Sequence, residues 1–242
     1  GTTFFGPGTL ARDIAVQEST RAALRCIDRG AGYRPIGHVL DEKAFVNGLV
    51  GLMSTGGSTN LTLHIIAMAA AGGIRLTWDD MNDISDATPL LAKVYPNGSA
   101  DVNAMEAAGG LPFLIDQLRG AGFLHPDVMT ITENGYQDYG QVAKIATPDT
   151  LSFEAAPTQS LMPEVLTTPE QPFQSNGGLK VLTGKLGRSV IKISAVAPEH
   201  RVVEAPAKVF TDQNQIQAAF KAGELHGDFV CVLRSQGPKA NG

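Results

Sequence analysis

Phe45, Leu49, Leu52 and Met53 recur at i, i+4, i+7 and i+8, the spacing of one buried helical stripe, and Asp41 stands where an N-cap belongs. The polar, glycine-containing run Ser54-Thr55-Gly56-Gly57-Ser58-Thr59-Asn60 then predicts a loop. Leu61 to Ala71, apolar and alanine-rich and closed by Gly72-Gly73, predicts a buried helix fed by that loop. Ile74-Arg75-Leu76 reads as a short strand, and Thr77 with Asp80 as a capping box for a further helix. Pro112 at a first-turn position, with Phe113, Leu114, Ile115 and Leu118 behind it, predicts a helix ending near Gly120. Upstream, the turn Pro7-Gly8-Thr9 opens a helix expected to run to about Asp28, where Gly30 and Gly32 stop it.

From His125 to about Asn176 the periodicity fades and Pro148, Pro157, Pro163, Pro169 and Pro172 accumulate, which predicts loops and a domain connection. Short β-prone runs follow: Leu179 to Leu182, Ser189 to Val196, Val202 to Phe210 and Phe229 to Leu233, with a helix expected from Asp212 to Ala222. The pattern therefore predicts an α/β chain that is helix-rich through about residue 160 and β-rich and barrel-like over residues 161–242.

Composition narrows the function classes. With 43% hydrophobic residues among 242, the chain can bury a real core. Lys+Arg 19 against Asp+Glu 24 gives a formal charge of -5, and the basic residues form no stripe, so no nucleic-acid partner is expected. No run approaches the roughly 18 apolar residues of a membrane span and no signal pattern opens the chain, so a cytoplasmic protein without a membrane partner is expected. Cys26 and Cys231 lie in amphipathic and apolar runs and are expected to be buried thiols. Gly1 is not an initiator methionine and Gly242 follows closely on a strong strand, so the chain reads as an interior piece of a longer enzyme.

The candidate chemistry centres on the glycine run. Gly56 and Gly57 permit close backbone approach, while Ser58, Thr59 and Asn60 add donors at a helix start whose free N–H groups favour anions. The run suits a carboxylate or phosphate, and equally a plain helix start capped by Ser58. His64 lies one turn beyond Asn60 and can share its face, although a buried structural histidine is the simpler expectation. Asp41-Glu42 and Asp79-Asp80 are explained by helix starts before metal binding, and His38, His125, His200 and His226 form no metal spacing. Lys185, Arg188, Lys192, Arg234 and Lys239 surround glycine turns in the β-rich part, where bases hold phosphate or stand as solvated loop charges.

Val46-Asn47-Gly48, then Ser54 to Asn60 with His64 after it, resemble the central signature of the dihydroxy-acid and 6-phosphogluconate dehydratase family. Pro89-Leu90-Leu91, Glu106 to Pro112, Gly177-Gly178-Leu179 and Gly237-Pro238-Lys239 match in family order. Tyr95-Pro96-Asn97-Gly98, Gly187-Arg188 and the run Gln236 to Gly242 resemble its 6-phosphogluconate branch; Lys185 departs from the pattern, which has asparagine there. The resemblance implies a hydro-lyase that removes water from 6-phosphogluconate to give 2-keto-3-deoxy-6-phosphogluconate in the Entner–Doudoroff route. It implies a 4Fe-4S cluster as Lewis acid at the C3 hydroxyl and Mg2+ at the substrate carboxylate. It further implies substrate-binding roles for Gly57, Ser58, Thr59, Asn60, His64, Arg188 and Lys239. No catalytic residue or metal ligand is expected here, because the family's cluster cysteines lie upstream of the matching segment and its serine base beyond it. Residues 1–160 would complete the cluster-binding domain and 161–242 begin the barrel-like one, with the active site between them, in a homodimer when full length. This chain alone would be catalytically silent.

Two alternatives stand beside that reading. One keeps the enzyme class but takes a non-phosphorylated sugar acid or a 2,3-dihydroxy acid. The other is a non-catalytic domain that binds an anion at the Gly-Gly-Ser helix start.

Overall fold

Eight α-helices and six strands form among residues 5–27, 30 and 32–236, which this computed structural model describes, and they fall into two compact units, 1–195 and 196–242. In the first unit the helices are α1 (Leu10–Ile27), α2 (Ile36–Val39), α3 (Glu42–Thr55), α4 (Thr59–Ala71), α5 (Trp78–Ala87), α6 (Val102–Ala107) and α7 (Gly110–Gly120). Two antiparallel hairpins complete it: β1 (Gln141–Thr147) with β2 (Thr150–Ala155), and β3 (Leu179–Gly184) with β4 (Gly187–Lys192). The expected helix starts are built as their residues dictate. The Asp41 carboxylate accepts from the Ala44 amide at 2.8 Å, the Ser58 hydroxyl from the Asn60 amide at 3.2 Å, and Thr77 and Asp80 form a reciprocal capping box.

Helix α3 is the central element because both its faces are covered. Phe45, Leu49, Leu52 and Met53 pack with Ile65 and Ala69 of α4, Met81 of α5 and Leu179 of β3. On the other side Val50 joins Leu91, Phe113, Leu114 and Leu166 in a second apolar cluster. The extended segment Leu90 to Ala92, all but inaccessible, is tied to the end of α3: the Leu91 and Ala92 amides both donate to the Ser54 carbonyl, at 2.7 and 3.2 Å.

Several expectations are corrected. Helix α4 buries only Thr62, Ile65 and Ala69, and exposes Leu63 and Met68, so its alanine-rich composition does not mark a helix buried all round. Residues 74–76 are extended but pair with no strand; Ile74 and Leu76 pack against the α3–α4 cluster instead. The β1–β2 hairpin forms where fading periodicity predicted loops, because only Ala143 is buried and alternation is weak, and Pro148 falls in its turn. The run expected as a strand from Ser189 to Val196 ends at Lys192 and continues as a 3-10 turn over Ile193–Ala195.

The second unit is a β-α-β arrangement: β5 (Ala207–Phe210), α8 (Gln213–Lys221) capped by Asp212, and β6 (Val230–Leu233), which runs parallel to β5. The strand expected from Val202 shortens to begin at Ala207, since Val202 and Val203 are exposed and unpaired. Cys231 is exposed and Cys26 only half-buried, against the expectation of two buried thiols; a two-stranded sheet cannot cover both its faces. Among the described residues the six strands make three separate two-stranded sheets and close no barrel, and no helix is long and apolar enough to cross a membrane.

Candidate functional site

The α3–α4 junction is where the signature run takes shape. Gly56 ends α3 in the left-handed region, φ 57°, and an alanine Cβ there would fall 2.0 Å from Asn97 Nδ2. The Gly57 amide donates back to the Leu52 carbonyl at 3.0 Å, so the turn closes on its own helix. Behind it Gly178 approaches so closely that a Cβ would stand 2.4 Å from Ser194 Oγ and 3.1 Å from the Gly56 Cα. Gly56 and Gly178, distant in sequence, thus meet backbone to backbone.

Three side chains bind this junction together. Lys192 Nζ donates to the Gly56 carbonyl at 2.7 Å, Asn97 Nδ2 donates to the same oxygen at 3.2 Å, and Ser194 Oγ donates to Asn97 Oδ1 at 2.6 Å. Lys192 is half-buried, and desolvation pushes its ammonium below the ordinary lysine range. Asn97 and Lys192 lie within or beside sequence motifs, but the partner of neither is encoded locally, and Ser194 carries no signal beyond lying in a β-prone run.

In front of the junction the chain is open. Ser58, Thr59 and Asn60 are exposed at the start of α4, and His64, one turn on, is exposed as well, against the simpler expectation of a buried histidine. Gly57 and Ser58 also border a largely aliphatic hollow of about 570 Å3 whose other walls include Leu52, Leu61, Leu114 and Leu118. Arg188 is placed elsewhere. It stands opposite Thr183 near the β3–β4 turn, four residues from Lys192, about 13 Å along a strand at roughly 3.3 Å per residue. Its guanidinium pairs with Asp79, the exposed acid at the start of α5. Asp80 beside it is held below the usual carboxylate range by hydrogen bonds from Thr77. Lys239, the remaining candidate, lies outside the described residues.

The model of the dihydroxy-acid/6-phosphogluconate dehydratase N-terminal region matches residues 1–139, and that of its C-terminal region matches residues 164–242. The chain belongs to this family. It is 53% identical over all 242 residues to a phosphogluconate dehydratase of Rhizobium meliloti and 48% identical to one of Pseudomonas aeruginosa. A dihydroxy-acid dehydratase of Sulfolobus acidocaldarius is 40% identical, but over 87 residues, which are 36% of this chain and 15% of that protein. The chain spans 40% of the length of the Rhizobium and Pseudomonas relatives. The junction itself crosses the family's internal boundary: Gly56 and Asn97 fall in the N-terminal match, Gly178, Lys192 and Ser194 in the C-terminal one.

The residues present do not fit an iron-sulfur cluster. Such clusters are held by several cysteine thiolates, whereas this sequence has two cysteines, and Cys26 Sγ contacts the Ile131 carbonyl at 3.7 Å. No group of three or more His, Cys, Asp or Glu able to hold a metal exists among the described residues.

Proposed function

We propose that this chain is the substrate-side portion of a hydro-lyase that converts 6-phosphogluconate to 2-keto-3-deoxy-6-phosphogluconate in Entner–Doudoroff sugar-acid breakdown, acting in the cytoplasm as a homodimer when full length. In that reaction the C2 proton and the C3 hydroxyl leave as water, and the resulting enol tautomerises to the 2-keto acid. The likeness of all 242 residues to part of the phosphogluconate dehydratases supports the substrate, and the exposed Ser58, Thr59, Asn60 and His64 beside a clamped glycine turn support the site. Hydroxyl and amide donors at a helix start can bind a carboxylate by charge-assisted hydrogen bonds, each stronger than a neutral one. On this proposal the C2–C3 chemistry is supplied by groups these residues do not include, the 4Fe-4S cluster and Mg2+ among them. Residues 1–160 then complete the cluster-binding domain and 161–242 begin the barrel-like one.

Anaerobic assay of the full-length parent with 6-phosphogluconate tests the reading: a 2-keto acid is the expected product, and its absence with an intact cluster overturns it. One observation favours the second reading, a non-phosphorylated sugar acid. Arg188, proposed to hold the phosphate, is engaged with Asp79. Removing that charge by Arg188→Gln separates the two, since loss of a phosphate contact raises KM for the phosphorylated substrate alone.

A further inference from the structure

The Gly56–Gly57 peptide is held at both of its polar ends. Its carbonyl accepts from Lys192 Nζ and Asn97 Nδ2, and its N–H donates to the Leu52 carbonyl. A peptide plane fixed at both ends leaves only the φ and ψ of Gly57 between it and Ser58, so the place from which the chain enters Ser58 is set from behind. Asn97 is in turn oriented by Ser194, whose amide also donates to the Gly178 carbonyl at 3.3 Å, and Gly178 lies against Gly56. Lys192 forms no ion pair among the described residues, and it donates to a neutral carbonyl. A charged donor on the carbonyl of a buried residue makes a stronger bond than a neutral one and polarises the peptide toward its N–H acceptor as well. Lysine is an expensive choice for merely filling space there, because burial disfavours its charge.

We propose that Lys192, with Asn97 and Ser194, is a positioning residue: it locks the Gly56–Gly57 peptide and so fixes where Ser58, Thr59 and Asn60 are presented to the sugar acid. The inference rests on the reading of that loop as the substrate side. Lys192 reaches the junction from the C-terminal family region, so the lock also couples that region's β3–β4 hairpin to the loop geometry.

The test uses the full-length holoenzyme and the variants Lys192→Met, Lys192→Arg, Asn97→Ala and the double Lys192→Met/Asn97→Ala, with cluster content followed by visible absorption. Lys192→Met is expected to raise KM for 6-phosphogluconate about tenfold or more with kcat within about twofold, the size of one lost charged hydrogen bond. Lys192→Arg is expected to recover most of it. Because both side chains act on one carbonyl, the double variant is expected to be less impaired than the product of the singles. Unchanged KM, multiplicative effects, or a hundredfold fall in kcat at constant KM, which would mean a direct chemical role, each overturn the proposal.

A second readout does not depend on turnover. Amide exchange over residues 54–62 is expected to accelerate about tenfold in Lys192→Met while the rest of α3 keeps its protection. Unchanged exchange overturns the lock whatever the substrate. If wild-type enzyme fails on 6-phosphogluconate but exchange accelerates, the substrate assignment falls and the lock stands. Should Lys192→Met not fold, Asn97→Ala and Ser194→Ala carry the same exchange measurement.

Discussion

The two halves of the signature run differ sharply. Residues 54–57 are fastened on every side: Ser54 is inaccessible with its carbonyl taken by two amides, and Gly56 is buried with its carbonyl taken by two side chains. Residues 58–60, next in sequence, are exposed, and their one capping bond is local. Placing a polar side chain for a ligand requires that its backbone not move, while binding requires that its hydroxyl or amide not already be spent. One short run meets both needs by dividing them, with immobility on the rear half and free donors on the front.

That division is open to attack from either side. Met53→Ala strikes the rear most heavily: the side chain is 1% exposed and packed behind the loop, so a loss of about 2–5 kcal/mol in urea unfolding is expected. Gly56→Ala comes next, at about 2–3 kcal/mol, from the left-handed backbone and the displaced Asn97 bond. Gly73→Ala is its control, since Gly73 is also left-handed, φ 76°, but meets nothing within 4 Å; only the backbone part, about 1–2 kcal/mol, is expected. Equal losses at the two glycines would erase the claim that the rear half is clamped.

On the front half the balance should reverse. Ser58→Gly keeps a competent N-cap, so a stability loss of a few tenths of a kcal/mol is expected, whereas KM of the full-length enzyme for its sugar acid should rise about tenfold if the hydroxyl binds it. A change confined to stability would return Ser58 to a purely capping role. A last test concerns the helix start bearing the Arg188 partner. Because Thr77 holds Asp80 below its ordinary pKa, its stabilisation is present above the usual carboxylate range and lost as pH falls through the lowered value. Wild type should exceed Asp80→Asn by about 0.5–1 kcal/mol at neutral pH, and the gap should close on acidification.

Local signals were legible wherever one element's residues sufficed. The α3 stripe, its Asp41 cap, the Thr77–Asp80 box, the Pro112 helix and the Asp212 helix all stand as the spacing predicts, because capping and periodicity depend on neighbours within a few residues. What escaped needed a partner from afar. The exposure of His64 and Leu63 depends on which side of α4 meets α3, and alanine-rich composition does not encode it. The β1–β2 hairpin escaped because most of its residues face solvent and leave no alternation to read.

By itself, then, the sequence determined the family, the helical framework and the run Thr55 to Asn60 as the place to look, since motif order and short-range physics survive without a fold. Tertiary structure alone decided that Lys192 and Asn97 converge on the Gly56 carbonyl, from positions 136 and 41 residues away in the chain, and that Ser194 orients Asn97. It also decided that Arg188 turns to Asp79. Side chains so separated meet only when packing of α3 against the Leu90–Ala92 segment and the β3–β4 hairpin brings their backbones together, and no local pattern carries that information.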